Sequence, residues 1–144
     1  AFNRAIAEEA SRKFLRTATC KTTHSLAFGA MARHYGAGDK MTGSLSPFAL
    51  AQAIALPSSA TLGGAVSVNS TRLAVAVRAC VTAFCYSADA TLAPHHVELP
   101  EVASLWTEAQ RARYAAVVFS YADTLWKAAI SPHSAVPLGH DGYL

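Results

Sequence analysis

Apolar residues recur every four positions at the start of the chain, where Phe2, Ile6, Ala10 and Phe14 share one face. Glu8 with Arg12, and Glu9 with Lys13, are spaced as i,i+4 ion pairs on another face. The pattern predicts an amphipathic helix over residues 2 to 18, with a stripe suited to a partner subunit or a membrane interface. An ordinary surface helix fits the same pattern. The next segment, HYGAGDKMTGS at 34 to 44, gathers Gly36, Gly38 and Gly43 with Asp39 and reads as a loop. It lacks a preceding strand and a third correctly spaced glycine, so it is not a phosphate-binding loop.

From Met41 to Thr71 the chain has no charged or histidine side chain, and Pro47 and Pro57 divide it. A short helix or extended piece at 48 to 55, a break at Pro57 and a new helix capped by Ser58 and Ser59 account for this stretch. The new helix is predicted over 58 to 87, with only Arg72 and Arg78 charged. At about 1.5 Å per residue it is on the order of 45 Å long, enough to cross a bilayer. Gly63, Gly64, Ser67 and Ser70 supply small residues for close approach of another helix. Arginines in such a span need partners, so a soluble amphipathic helix with Arg72 and Arg78 on its wet edge is the competing reading.

Residues 87 to 101 read as a loop with two prolines and the pair His95-His96. Without a third ligand at a familiar spacing, the pair is expected to be solvent-exposed rather than metal-bound. A last helix is expected from 101 to 130. Its tryptophans, Trp106 and Trp126, are spaced about 30 Å apart along a helix, as for aromatic anchors at two bilayer interfaces. Core packing is the alternative for both. The tail from 131 to 144 is turn-rich and reads as an extended arm. The expected fold class is all-α, a single helical unit: a basic region at 1 to 44, an entry segment and spanning helix at 45 to 88, a loop at 89 to 100, a second long helix at 101 to 130, and the arm.

Composition sharpens this picture. Hydrophobic residues make up 52% of the chain and charged residues 15%, against roughly 25% charged in a typical soluble domain. Mean hydropathy is +0.23. Such a surface needs lipid or partner subunits to cover it. The net charge of +3 is uneven: residues 1 to 40 hold seven Lys or Arg against three acids, and the remainder five against six. A basic head on an apolar body suits a membrane protein with its N-terminus on the matrix side. Nucleic-acid binding is set aside, because no glycine-aromatic RNA-binding signature accompanies the basic residues. Glu8 and Glu9 argue against an intact transit peptide, and a chain that starts at Ala1 is expected to be already processed.

Candidate chemistry is sparse. Cys20, Cys80 and Cys85 are an odd number without a C-x-x-C pair, so buried thiols in a reducing compartment are expected. Asn69-Ser70-Thr71 is a glycosylation sequon in form, without a secretory signal to give it meaning. None of the six histidines belongs to a catalytic or haem motif, and no nucleophile elbow is present.

One stretch carries a family resemblance. Leu45-Ser46-Pro47, eight residues, Leu56-Pro57 and then the hydroxyl of Thr61 resemble the entry to the first spanning helix in the large membrane-anchor subunit, of cytochrome b560 type, of succinate dehydrogenase (respiratory complex II). The resemblance implies a non-catalytic anchor in the mitochondrial inner membrane. It would dock the iron-sulfur subunit, pair with a second anchor subunit, contact lipid and line the ubiquinone site with Ser58, Ser59 and Thr61. Phe48 stands where the family has histidine. Ala65 stands where it has the quinone-binding arginine, so Arg72 is the substitute cation. The haem-ligand position falls on Ala122, and the resemblance therefore does not extend to haem. An accessory subunit of ATP synthase or complex I, and a soluble helical interaction protein, are the alternative functions.

Overall fold

The computed structural model describes residues 3–14, 18–36, 38–139 and 142. These residues are mostly helical, with one small two-stranded sheet. The order is α1 (Arg4–Phe14), α2 (Thr23–Tyr35), α3 (Asp39–Thr42), α4 (Pro47–Ala53), β1 (Ser59–Gly63), β2 (Val66–Asn69), α5 (Ser70–Cys85) and α6 (Glu108–Ile130). Two single-turn 3-10 segments, Pro94–His96 and Glu101–Leu105, lie between α5 and α6.

The centre of the molecule is the packing of α5 along α6, with α4 against α5 and β1 against α6. Leu73, Val77 and Cys80 recur at helical spacing on α5; Tyr114, Val118, Ala122, Leu125 and Ala129 do so on α6, and all are buried. Ala122 is fully enclosed. Each large apolar side chain enclosed in this way contributes about 1.5–3 kcal/mol of burial.

The helix expected over 58 to 87 is instead a hairpin followed by a helix. Ser59 pairs with Asn69, Ala60 with Val68 and Thr61 with Ser67 in antiparallel register. The turn uses Gly63 at φ +127° and Gly64 at φ +59°, which are backbone conformations that favour glycine. Of the residues that resemble a helix-packing surface in the sequence, Gly63 and Gly64 thus make a turn, Ser67 lies in β2 and Ser70 opens α5. The helix starts afresh at Ser70, where the Asn69 carboxamide accepts the Arg72 N–H at 2.9 Å. The same cap gives the sequon asparagine a structural role.

This shortens the apolar helix to 16 residues, about 24 Å against a hydrocarbon core of about 30 Å. α6 has 23 residues but carries Arg111, Arg113, Asp123 and Lys127. Among the described residues no helix is long and apolar enough to cross a membrane. The expected second helix also divides, because the Thr107 and Gln110 side chains form a reciprocal capping box that starts α6 at Glu108. Trp106 packs on Tyr114 with ring centroids 5.3 Å apart, and Trp126 on Phe84 at 5.2 Å. Both indoles therefore serve as packing groups.

The N-terminal helix forms over a shorter span than 2 to 18; Phe2 and residues 15 to 17 lie outside the described residues. Lys13 pairs with Glu9 as its spacing predicts, while Glu8 pairs with Arg4 rather than Arg12. Ile6 and Phe14 remain exposed. The tail is no extended arm over 131 to 139: Val136 and Leu138 are buried, and the Leu138 N–H donates to the Lys40 carbonyl at 2.7 Å. Lys40 in return points its ammonium at the carbonyls of Ala128, Ser134 and Val136. The Tyr35 hydroxyl donates to the Ile130 carbonyl at 2.9 Å. Tyr35 thereby supplies a donor to the Ile130 carbonyl at the end of α6, and Lys40 adds one to the Ala128 carbonyl, which also accepts the Ser131 N–H.

Candidate functional site

Ser58 and Ser59 precede or open β1, Thr61 lies within it, and Arg72 sits in the first turn of α5; all four are exposed. Strand alternation explains this, since Leu62 and Val68 turn inward while Ser59, Thr61 and Ser67 face out. A cation from another helix reaches this strand. Arg113 of α6 donates from Nε to the Thr61 carbonyl at 2.9 Å, and Gln110 donates from Nε2 to the Gly63 carbonyl at 3.0 Å. Sequence spacing could not reveal this, because Arg113 is 52 residues from Thr61. None of the four expected site residues lines either of the clefts described next.

Arg78 is the polar group set into apolar surroundings. Its guanidinium donates to the Leu45 carbonyl, so the leucine of the Leu45-Ser46-Pro47 segment is tied directly to α5. Local chemistry arranges that segment: the Ser46 hydroxyl caps α4 by accepting the Ala49 N–H at 3.1 Å, and Pro47 fills the first helical position. On one side of Arg78 is a cleft of about 440 Å³ between α5, α6 and the returning tail, walled by Leu45, Leu50, Trp126 and Val136. On the other is a shallower groove of about 430 Å³ along the outer face of α5, bordered by Val75, Ala79, Ala83, Tyr86 and Glu98. A need for a polar partner was legible for Arg78 from the sequence. Its identity, a backbone carbonyl 33 residues away, was not.

The titratable groups of the core are poised for packing rather than reaction. Burial pushes the Cys80 thiol up to about 11, which leaves it protonated and unreactive at neutral pH. Burial also raises the Tyr114 phenol. No disulfide joins Cys20, Cys80 and Cys85.

Asp89, His95 and His96 are, among the described residues, the side chains whose ligand atoms gather closely enough to hold a metal ion. The expectation that both histidines are solvent-exposed holds for His95 alone; His96 is 5% exposed. Its ring packs edge-on against Phe84, with centroids 5.4 Å apart. No protein-family pattern matches the chain, and no curated protein and no solved structure matches it.

Proposed function

We propose that this chain is a non-catalytic subunit that is seated by its apolar outer face in a larger assembly, with respiratory complex II as the parent and a divergent anchor as the role. The observation that carries the docking role is the outer face of α5. There Val75, Ala79, Ala83 and Tyr86 form a stripe at helical spacing beside a groove, with Val75 54% and Tyr86 72% exposed. Leu99 and Leu105, also exposed, follow in the connection to α6. A chain with only 15% charged residues that leaves such a stripe uncovered is built to meet another apolar surface. A helix of a neighbouring subunit, with a cation to meet Glu98, fits the groove.

The choice of parent rests on Leu45-Ser46-Pro47 and Leu56-Pro57. On this reading the ubiquinone contacts at Ser58, Ser59 and Thr61 take their cation from Arg113 rather than Arg72. The test is native purification through this chain from detergent-solubilised membranes, with mass-spectrometric identification of its partners and a succinate-to-quinone assay. Co-purification of the flavoprotein and iron-sulfur subunits with activity is the expected result, lost in a Val75→Asp, Tyr86→Asp variant of unchanged helicity. Recovery of ATP synthase or complex I subunits keeps the docking role and overturns the parent. A chain that purifies alone overturns both.

A further inference from the structure

The end of α5 and the loop beyond it fold into a compact turn. The Ser87 hydroxyl donates to the Phe84 carbonyl at 2.8 Å and accepts the Asp89 N–H at 3.1 Å, which aims the Asp89 carboxylate back toward the 3-10 turn at Pro94–His96. That turn does something unusual with two adjacent residues. Instead of diverging, the His95 and His96 rings lie 4.2 Å apart with a tilt of 39°. Both present Nε2 to the same carboxylate oxygen: Asp89 Oδ2 is 2.6 Å from His95 and 3.0 Å from His96.

We propose that Asp89, His95 and His96 bind a divalent transition-metal ion of the zinc class. Two imidazole nitrogens and one carboxylate oxygen are a donor set for Zn²⁺ or its first-row neighbours. Calcium and magnesium prefer oxygen throughout. All three ligand atoms lie within 4.8 Å of one another. Around a tetrahedral ion with bonds of about 2.0–2.1 Å, donors sit about 3.3 Å apart. The two carboxylate–imidazole separations, 2.6 and 3.0 Å, therefore need to widen by only a fraction of an ångström. His95 and Asp89 have that freedom, with side chains 67% and 44% exposed, and water completes the coordination on the same open side.

The buried member is oriented as metal-binding histidines usually are. His96 Nδ1 lies 3.0 Å from the Ala93 nitrogen and 3.0 Å from the Ala93 carbonyl oxygen. With the proton on Nε2, the ring donates to Asp89 and accepts the Ala93 N–H at Nδ1. With the proton on Nδ1, the ring donates to the Ala93 carbonyl and turns the Nε2 lone pair toward the ion. A backbone carbonyl that holds the far N–H of a ligating imidazole fixes its tautomer and raises its basicity. Phe84 packs edge-on against the same ring.

The inference is independent of the parent assembly, and its test uses the purified 144-residue chain stripped with a chelator. Zn²⁺ is titrated by calorimetry and Co²⁺ by visible absorption, for the wild type and for His95→Ala and Asp89→Asn, whose altered side chains are exposed and leave the core intact. Expected are one ion per chain, ligand-field bands of a low-coordinate Co²⁺ site, and affinity weakened at least about 10-fold in each variant, the loss that follows even from removing an outer partner of a metal ligand. The thermal midpoint should rise with Zn²⁺ in the wild type only. Equal binding by the wild type and both variants would place the ion on other histidines or cysteines and overturn the site, as would an absence of binding.

Discussion

The ammonium of Lys40 donates to the carbonyl oxygen of Val136 at 2.6 Å, across 96 residues of chain. Two further carbonyls, of Ala128 at 3.2 Å and Ser134 at 3.3 Å, take its remaining protons. One side chain thereby closes the end of α6 and holds the tail that follows. Lys40→Met keeps the stem but removes the ammonium donor from three carbonyls, of which Ala128 still accepts the Ser131 N–H. It is expected to destabilise the chain by about 1.5–3 kcal/mol, the range for losing a hydrogen bond to a charged group. Limited proteolysis of the variant should cut first between residues 131 and 139, and urea denaturation gives the magnitude.

The turn at Gly63 and Gly64 separates two readings of this region by the sign of one substitution. In a helix, Gly→Ala stabilises by about 1 kcal/mol. At φ +127° and +59° alanine is strained, and a loss of about 1–3 kcal/mol is expected for Gly63→Ala and a smaller one for Gly64→Ala. Thermal melts of the two variants check this, and stabilisation by either would restore the continuous helix.

Neighbouring residues on α5 should behave oppositely. Leu73 is fully buried and Val75 is 54% exposed. Leu73→Ala is expected to lose about 2–5 kcal/mol, whereas Val75→Ala should change the stability of the isolated chain by less than about 0.5 kcal/mol. Equal losses at both positions in denaturant titrations would contradict the face assigned to the core.

Alkaline stability carries the imprint of the core. Cys80 titrates at about 11 in the fold against a reference of 9.0. Its contribution is therefore complete below pH 9 and disappears as pH rises through 11, because the unfolded chain sheds the proton first. Tyr114, also raised by burial, acts in the same direction at higher pH. Lys40, lowered from 10.5 by burial, acts in the opposite one, since there the folded chain sheds its proton first. Urea titrations between about pH 8 and pH 10.5 should show the wild type losing more stability than Cys80→Ala. Near neutral pH Cys80 should resist alkylation in the native chain and react only after unfolding.

Features written in adjacent residues were legible in the sequence. The short helix offered over 48 to 55 forms as Pro47–Ala53, Glu9 and Lys13 pair at one turn's spacing, and the predominance of helix follows from apolar periodicity. Illegible features depend on residues brought together by the fold. Gly63-Gly64 serves equally well as a small helix surface or a turn, and only the pairing of β1 with β2 decides. The tail reads as an arm because nothing near it announces that Lys40 will accept its backbone into the core. The candidate site divides in the same way. Ser58, Ser59 and Thr61 are local, whereas the guanidinium bonded to the Thr61 carbonyl, that of Arg113, comes from α6. Likewise His95-His96 is visible as a pair, but Asp89 joins it through a serine turn six residues upstream.

Phe84 touches both His96 and Trp126, with ring centroids 5.4 and 5.2 Å away. The surface loop and the helical core thus share a single aromatic spacer. An event at the His96 ring lies one ring away from an indole, and the chain carries its own optical probe: in a Trp106→Phe background, Trp126 emission becomes a label-free gauge of what the loop holds.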